Sequence, residues 1–201
     1  MDATTNTILN SDYILRENYQ SAHRLFQALA SNGVQPATIT IDGLPCVLRA
    51  LKAVWPSITT QRCIVHIQRQ GLSWLRRYPS TAAGQELRDI LLTLTAVATA
   101  ADKRRFIHRF RSWEYRYGPY IRTLNPHHKV YSDLQRSRSL VARALPDMFH
   151  YLDDPNIPSS TNRIEGYFSR VKSIFNRHNG MAKSHRAQYF AWYVYLKNTN
   201  T

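Results

Sequence analysis

The stretch Ala37-Thr38-Ile39-Thr40-Ile41-Asp42-Gly43 decides the fold class of this chain. Its alternating β-branched residues predict a strand, and the aspartate follows where that strand ends. In an α/β fold the carboxyl end of a parallel strand faces the crevice that binds ligands. Gly43 permits a close approach of backbone or ligand at that point. Asp42 is therefore either a site carboxylate or a structural residue, in a turn or as a helix N-cap, because Asp-Gly-Leu-Pro is also typical of turns.

The flanking sequence predicts the rest of an α/β unit. Residues 5–16 read as a weak strand, and a helix whose apolar face includes Phe26 follows and ends at Asn32-Gly33. A second helix is predicted within residues 44–56, and residues 61–67 read as another strand. The order strand, helix, strand, helix, strand, with short connections, indicates parallel pairing.

From residue 69 onward the chain reads as helical and basic. Two helices are predicted, at residues 82–98 and 102–117, and Thr99 or Asp102 caps the second. The second helix carries aromatic residues at a spacing more typical of a core than of a base-stacking surface: Phe106, Phe110, Trp113 and Tyr117. The predicted domains are a β-rich half of a core at 5–68, a basic helical insertion at 69–150 and C-terminal helices at 151–201.

The charge distribution indicates a nucleic-acid partner. The chain has 27 lysines and arginines against 13 acidic residues, a net charge of +14. Residues 1–60 hold equal numbers of acids and bases, so the excess lies after them. Arginine predominates, and its guanidinium fork matches phosphate oxygens. No stretch approaches the roughly 20 apolar residues of a membrane span, and two cysteines do not form a disulfide framework, which favours the cytosol.

Glu165 is the second candidate carboxylate, at the front of a predicted amphipathic basic helix. The structural alternative is a capping box, in which Thr161 or Asn162 caps the helix and Glu165 completes the box after Asn162. The apolar face of the helix is predicted to consist of Ile164, Phe168, Val171 and Phe175. A carboxylate at a strand end and one on a later helix can converge on a divalent metal.

Cys63 and His66 have a spacing that resembles half of a zinc site. A full site needs two further ligands, and none of the other histidines or Cys46 shows a matching spacing. On a strand, the two side chains would face opposite sides. The motif is therefore predicted to be structural.

Four motifs taken in order resemble those of the prokaryotic Mutator-type insertion-sequence transposases. They are Ile41-Asp42-Gly43, Trp55-Pro56, the segment from Gln61 to Arg69 with its Cys-x-x-His, and Thr161-Asn162-Arg163-Ile164-Glu165-Gly166. The resemblance runs from about Thr7 to the C-terminus. It implies an RNase H-like fold with a helical insertion, and Mg²⁺- or Mn²⁺-dependent DNA cleavage and strand transfer by an Asp-Asp-Glu triad. Asp42 matches the second Asp and Glu165 the Glu.

The resemblance leaves the first Asp of the triad without a match. That residue belongs to the first strand of the fold, and only one predicted strand and one helix precede Asp42. Asp12 and Asp2 are weak substitutes. We therefore expect an incomplete RNase H-like fold lacking its first two strands, in an amino-terminally truncated transposase that is inactive or nearly so unaided. We also expect poor solubility, self-association, or rescue by a separately encoded amino-terminal segment.

Two other functions fit the same residues: a non-enzymatic basic DNA-binding module, and an RNase H-like nuclease without strand transfer. For the transposase the expected partner is double-stranded DNA, at transposon ends and target sites, the expected location is cytoplasmic and nucleoid-associated, and a homo-oligomer is expected. The two alternatives would also act on nucleic acid. The basic residues predicted to contact DNA are Arg62, Arg69, Arg104, Arg105, Arg109, Arg163, Arg170, Lys172 and Arg177.

Overall fold

The computed structural model describes residues 1–14, 16–177 and 180–199, without the side chains of residues 183 and 184. These residues are mostly helical, with one small parallel sheet of strands β1 (Thr38–Ile41) and β2 (Thr59–Arg62). The helices are α1 (Tyr19–Ser31), α2 (Pro45–Val54), α3 (Ile64–Leu75), α4 (Ala82–Leu92), α5 (Ala100–Thr123), α6 (Lys129–Ala144), α7 (Asn162–Arg177) and α8 (Lys183–Thr199). This agrees with the α/β class, while the RNase H-like arrangement stays a prediction.

The chain divides into two compact units. Unit 1 comprises Met1–Thr60 and Asn156–Thr201, and unit 2 comprises Gln61–Pro155. Unit 2 is thus inserted into the sequence of unit 1. The predicted insertion at 69–150 lies inside unit 2, which begins earlier, within β2. None of the helices in the described part of the chain combines the length and apolar character that a membrane crossing requires.

Helices α1 and α2 form one apolar cluster of unit 1. Asn18 caps α1 through a reciprocal bond pair with Ser21, and α1 ends at Ser31 with Asn32 as its C-cap, at the predicted stop. Gly33 follows with φ of +80°, a left-handed conformation that favours glycine. The core contact joins the Phe26 and Trp55 rings, whose centroids lie 5.7 Å apart. This cluster supports the short strand β1 that leads to Asp42.

The strand predicted at residues 5–16 is wrong, because no strand forms among its described residues. The Ile8 backbone N–H donates to Asn198 Oδ1 at 3.0 Å, and Asn198 Nδ2 donates to the Ile8 carbonyl at 2.9 Å. The Ile8 side chain is buried in a cluster with Tyr167, Val171 and Phe190. A side-chain amide of α8 therefore satisfies the backbone groups that a neighbouring strand would otherwise pair.

The strand predicted at residues 61–67 is correct only through Arg62, since α3 begins at Ile64. Ile64, Ile67, Gly71 and Leu75 are buried at the three- and four-residue spacing of a helix. Gly71 marks a close approach to α4, because a Cβ there would lie 2.6 Å from a methyl carbon of Leu91. The apolar, β-branched run at residues 63–67 misled the sequence prediction.

The aromatic stripe of α5 lies in the core of unit 2, as predicted. Phe106, Phe110 and Trp113 are buried and Tyr117 packs against them, and the Trp113 indole N–H donates to the Ala83 carbonyl at 2.8 Å. The predicted N-cap is also confirmed: Thr99 and Asp102 form a capping box. The helix bounds differ, since α5 continues through Pro119 to Thr123, and α4 ends at Leu92 before a 3₁₀ turn at Leu94–Ala96.

Candidate functional site

Asp42 lies directly after β1, as predicted, with its side chain exposed. Gly43 has φ of +88°, which a residue with a Cβ adopts only under strain. Asp42 Oδ1 accepts a hydrogen bond from the Leu44 N–H at 3.1 Å, a turn contact. The carboxylate therefore has a local structural role, and its position at the carboxyl end of a parallel strand also suits ligand binding.

Glu165 lies in the first turn of α7 and is half-buried. The Thr161 hydroxyl donates to Glu165 Oε1 at 2.6 Å, a contact that orients the carboxylate. Because α7 begins at Asn162 itself, Glu165 stands one position later than the predicted capping box requires. The predicted apolar face is partly wrong: Val171 is buried, but Tyr167 is the second fully buried residue, while Ile164, Phe168 and Phe175 are half-buried.

A hydrogen bond within unit 1 connects the Asp42 strand to the segment before α7. The Thr40 hydroxyl donates to the Pro158 carbonyl at 2.7 Å, across 118 positions of sequence. Thr40 stands two residues before Asp42, and Pro158 stands seven before Glu165. The contact thus ties together the two backbone segments that carry the candidate carboxylates.

The Thr40→Val variant should loosen this connection. A lost neutral hydrogen bond costs about 1 kcal/mol, so amide hydrogen exchange near Ile157 and Thr161 should accelerate about fivefold. Thr38→Val is the matched control, because Thr38 lies on the same strand and its hydroxyl bonds to none of the described residues. Equal exchange in the two variants would contradict a tethering role for Thr40.

Glu17 is a carboxylate near Asp42 that the sequence patterns did not single out. Partial burial raises the pKa of Glu17, and the negative charge of Asp42 adds to the rise. No local motif marks this proximity, because Glu17 precedes the N-cap of α1. Asp2 and Asp12 are the two weak substitutes for the first triad residue. Asp2 accepts hydrogen bonds from the N–H groups of Thr4 and Thr5, which is a structural role, and Asp12 is exposed at the surface.

Cys63 and His66 contact each other at the start of α3. Cys63 is buried at the N-cap position of the helix, and His66 is half-buried on its first turn. His66 Nδ1 lies 3.3 Å from Cys63 Sγ. The prediction that they face opposite sides of a strand is wrong, because helical geometry brings side chains three positions apart to one face. The contact suits the structural role expected of the motif, which stays a prediction.

Most of the predicted DNA-contacting side chains are exposed, but they are not equivalent. The exposed ones are Arg69, Arg104, Arg105, Arg163, Arg170, Lys172 and Arg177, and Arg109 is half-buried. Arg62 is only 7% exposed, so a phosphate cannot reach it without rearrangement. Arg163 already donates to the Ala3 carbonyl and Asn6 Oδ1, at 3.1 and 3.2 Å. It therefore contributes to the structure of unit 1.

Comparison with known proteins identifies the family. A sequence model described as "Transposase, Mutator family" matches residues 4–132, which include Asp42 and the Cys63–His66 motif but not Glu165. No curated protein and no solved structure matches. Because the match covers more than half of the 201 residues, the chain belongs to the Mutator family of transposases.

Proposed function

We propose that this chain takes part in the transposition of DNA, and that Asp42 and Glu165 supply two of the carboxylates that hold divalent metal for cleavage and strand transfer. The observation that carries the proposal is the Thr40–Pro158 hydrogen bond, because it joins the two segments bearing these carboxylates within one unit. Family membership supplies the reaction class and the DNA partner.

The donor set suits Mg²⁺ or Mn²⁺. Both side chains offer carboxylate oxygens, the ligands that hard divalent cations prefer. The Thr161 hydroxyl orients the Glu165 carboxylate, as outer hydrogen-bond donors orient metal ligands. Burial and, to a smaller extent, the nearby negative charge of Asp42 raise the pKa of Glu17, and a cation would relieve the repulsion between these two carboxylates.

Residues around the two carboxylates would position them for the metal, and basic residues of α7 would bind the DNA. Bound metal would activate a water or a DNA 3′-hydroxyl for in-line attack and stabilise the leaving oxygen. Thr40 keeps the strand end beside the segment that leads to α7, and Gly43 leaves room for close approach. The exposed basic side chains of α7, Arg170 and Lys172, would bind phosphate oxygens without regard to sequence.

Paramagnetic Mn²⁺ tests the metal site independently of catalysis. We expect micromolar to millimolar Mn²⁺ to broaden the amide NMR signals of Gly43 and Gly166 together, since one ion would lie near both. Asp42→Asn or Glu165→Gln should weaken this effect at least tenfold, and the control Asp89→Asn, at an exposed acid of α4, should not. Broadening of one signal without the other would refute a shared site.

A non-enzymatic DNA-binding module is the second candidate. It is favoured by the structural contacts of both carboxylates, Asp42 with the Leu44 N–H and Glu165 with the Thr161 hydroxyl. This candidate predicts DNA binding with no Mn²⁺ effect at either glycine. A plasmid-nicking assay in Mg²⁺ or Mn²⁺ adds a second distinction, because activity lost in Asp42→Asn but kept in Asp89→Asn excludes it.

A further inference from the structure

The outward side of α5 carries an isolated tyrosine among cationic side chains. Tyr115 is 89% exposed, whereas the aromatic stripe of the same helix packs in the core of unit 2. A large exposed aromatic side chain is informative when its helix has an apolar face on which it could have been buried. We call the exposed surface formed by Arg104, His108, Arg111, Tyr115 and Arg122 the α5 outer face. Their spacing of four, three, four and seven residues places them in one row about 27 Å long.

The α5 outer face is cationic and lacks compensating acids. Within the described ranges, no carboxylate lies within ion-pair distance of Arg104, Arg111 or Arg122. The acids of α5 are engaged elsewhere: Asp102 caps the helix through Thr99, and Glu114 accepts from Arg138 Nε at 2.8 Å. The row therefore presents net positive charge to the solvent and complements a polyanion.

A shallow depression lies beside the tyrosine ring. Its lining residues are Arg111, Ser112, Tyr115 and Arg116. Arg116 is neutralised by Glu86 at 2.8 Å, so Arg111 is the cation that remains for a ligand. The depression thus combines one flat ring, one guanidinium without an acidic partner among the described residues, and a hydroxyl, which matches the base and the phosphate of a nucleotide.

We propose that the α5 outer face binds single-stranded DNA, with an unpaired base stacked on Tyr115 and the backbone held by Arg104, Arg111 and Arg122. An aromatic ring stacks on a base only when that base is unstacked from a duplex, whereas arginines bind either form. Tyr115 therefore specifies the single strand. This inference deepens the proposed function, since it rests on DNA being the substrate.

Fluorescence anisotropy with a labelled 20-nucleotide thymidine strand and a 20-base-pair duplex tests the proposal. Tyr115→Ala should weaken binding of the single strand about tenfold, which lies within the range expected for the loss of one base–aromatic stack. Duplex binding should change less than twofold. Tyr115→Phe should bind as the native chain does, and Tyr115→Trp at least as tightly, because the ring rather than the hydroxyl makes the contact.

Tyr78→Ala is the matched control, because Tyr78 is 80% exposed and belongs to the same unit. It should leave both affinities unchanged. Arg111→Ala should weaken both forms and lower the single-strand salt slope by about 0.7. Unchanged single-strand affinity in Tyr115→Ala, or equal weakening for strand and duplex, would overturn the proposal. Far-UV circular dichroism of each variant verifies folding, and the Mn²⁺ effect at Gly43 and Gly166 reports the metal site separately.

Discussion

Raising the salt concentration from 50 to 200 mM should weaken the binding of this chain to duplex DNA about a thousandfold. The net charge of +14 lies after residue 60, and most of the predicted contact residues are exposed arginines. For about six neutralised phosphates, the logarithm of the association constant falls with a slope near −5 against the logarithm of the salt concentration. Anisotropy titrations with a labelled duplex at four salt concentrations measure that slope. A slope shallower than about −2 would contradict a phosphate-based interface.

Two arginines of α5 provide a matched pair for the same experiment. Arg104→Ala should reduce the salt slope by about 0.9, because an exposed arginine without a carboxylate partner in the described residues can neutralise one phosphate. Arg116→Ala should change it less, since the Arg116 guanidinium already bonds Glu86. Equal effects of the two variants would show that the Glu86 ion pair does not compete with DNA.

Trp113→Ala should lower the free energy of unfolding of unit 2 by about 3–5 kcal/mol, the usual cost of replacing a buried Trp. Trp113 is fully buried, and it stacks on Phe110 with ring centroids 6.0 Å apart. The variant also leaves the Ala83 carbonyl without its indole donor. Urea denaturation followed by far-UV circular dichroism, with hydrogen exchange of the α4 amides to assign the transition to unit 2, measures the loss.

Trp192→Ala is the control for the loss of stability caused by removing a buried tryptophan. Trp192 is 63% exposed and meets Tyr195 edge-on at the surface of α8, with ring centroids 5.9 Å apart. Exposed substitutions of this kind usually change stability by less than about 0.5 kcal/mol. Similar losses from Trp113→Ala and Trp192→Ala would show that burial in unit 2 does not determine the cost.

Local sequence patterns predict the structure correctly where the contacts that determine it are close in sequence. The alternation at residues 37–41 predicts β1, and Asp42-Gly43 predicts the turn that follows, because strand propensity and positive φ are properties of neighbouring residues. The cap formed by Thr99 and Asp102 can be predicted from the sequence for the same reason. The aromatic stripe of α5 follows from helical periodicity alone.

Other features depend on partners that no local pattern reveals. The segment around Ile8 reads as a strand, yet its backbone partner is Asn198, which lies 190 positions later. The proximity of Glu17 to Asp42 likewise arises from folding rather than from spacing. The short apolar run at Cys63–His66 is compatible with both a strand and a helix. The helical spacing of the buried residues further along α3 shows that it is a helix.

The paired bonds between Ile8 and Asn198 set an order of assembly during synthesis. Unit 2 is a continuous segment, so all of its partners have left the ribosome once Pro155 has emerged. Unit 1 must wait for α7 and α8, because the apolar side chain of Ile8 is covered by residues near the other end of the chain. The contacts within unit 2 can therefore form while the apolar side chain of Ile8 is still uncovered, the situation in which a chaperone is most useful.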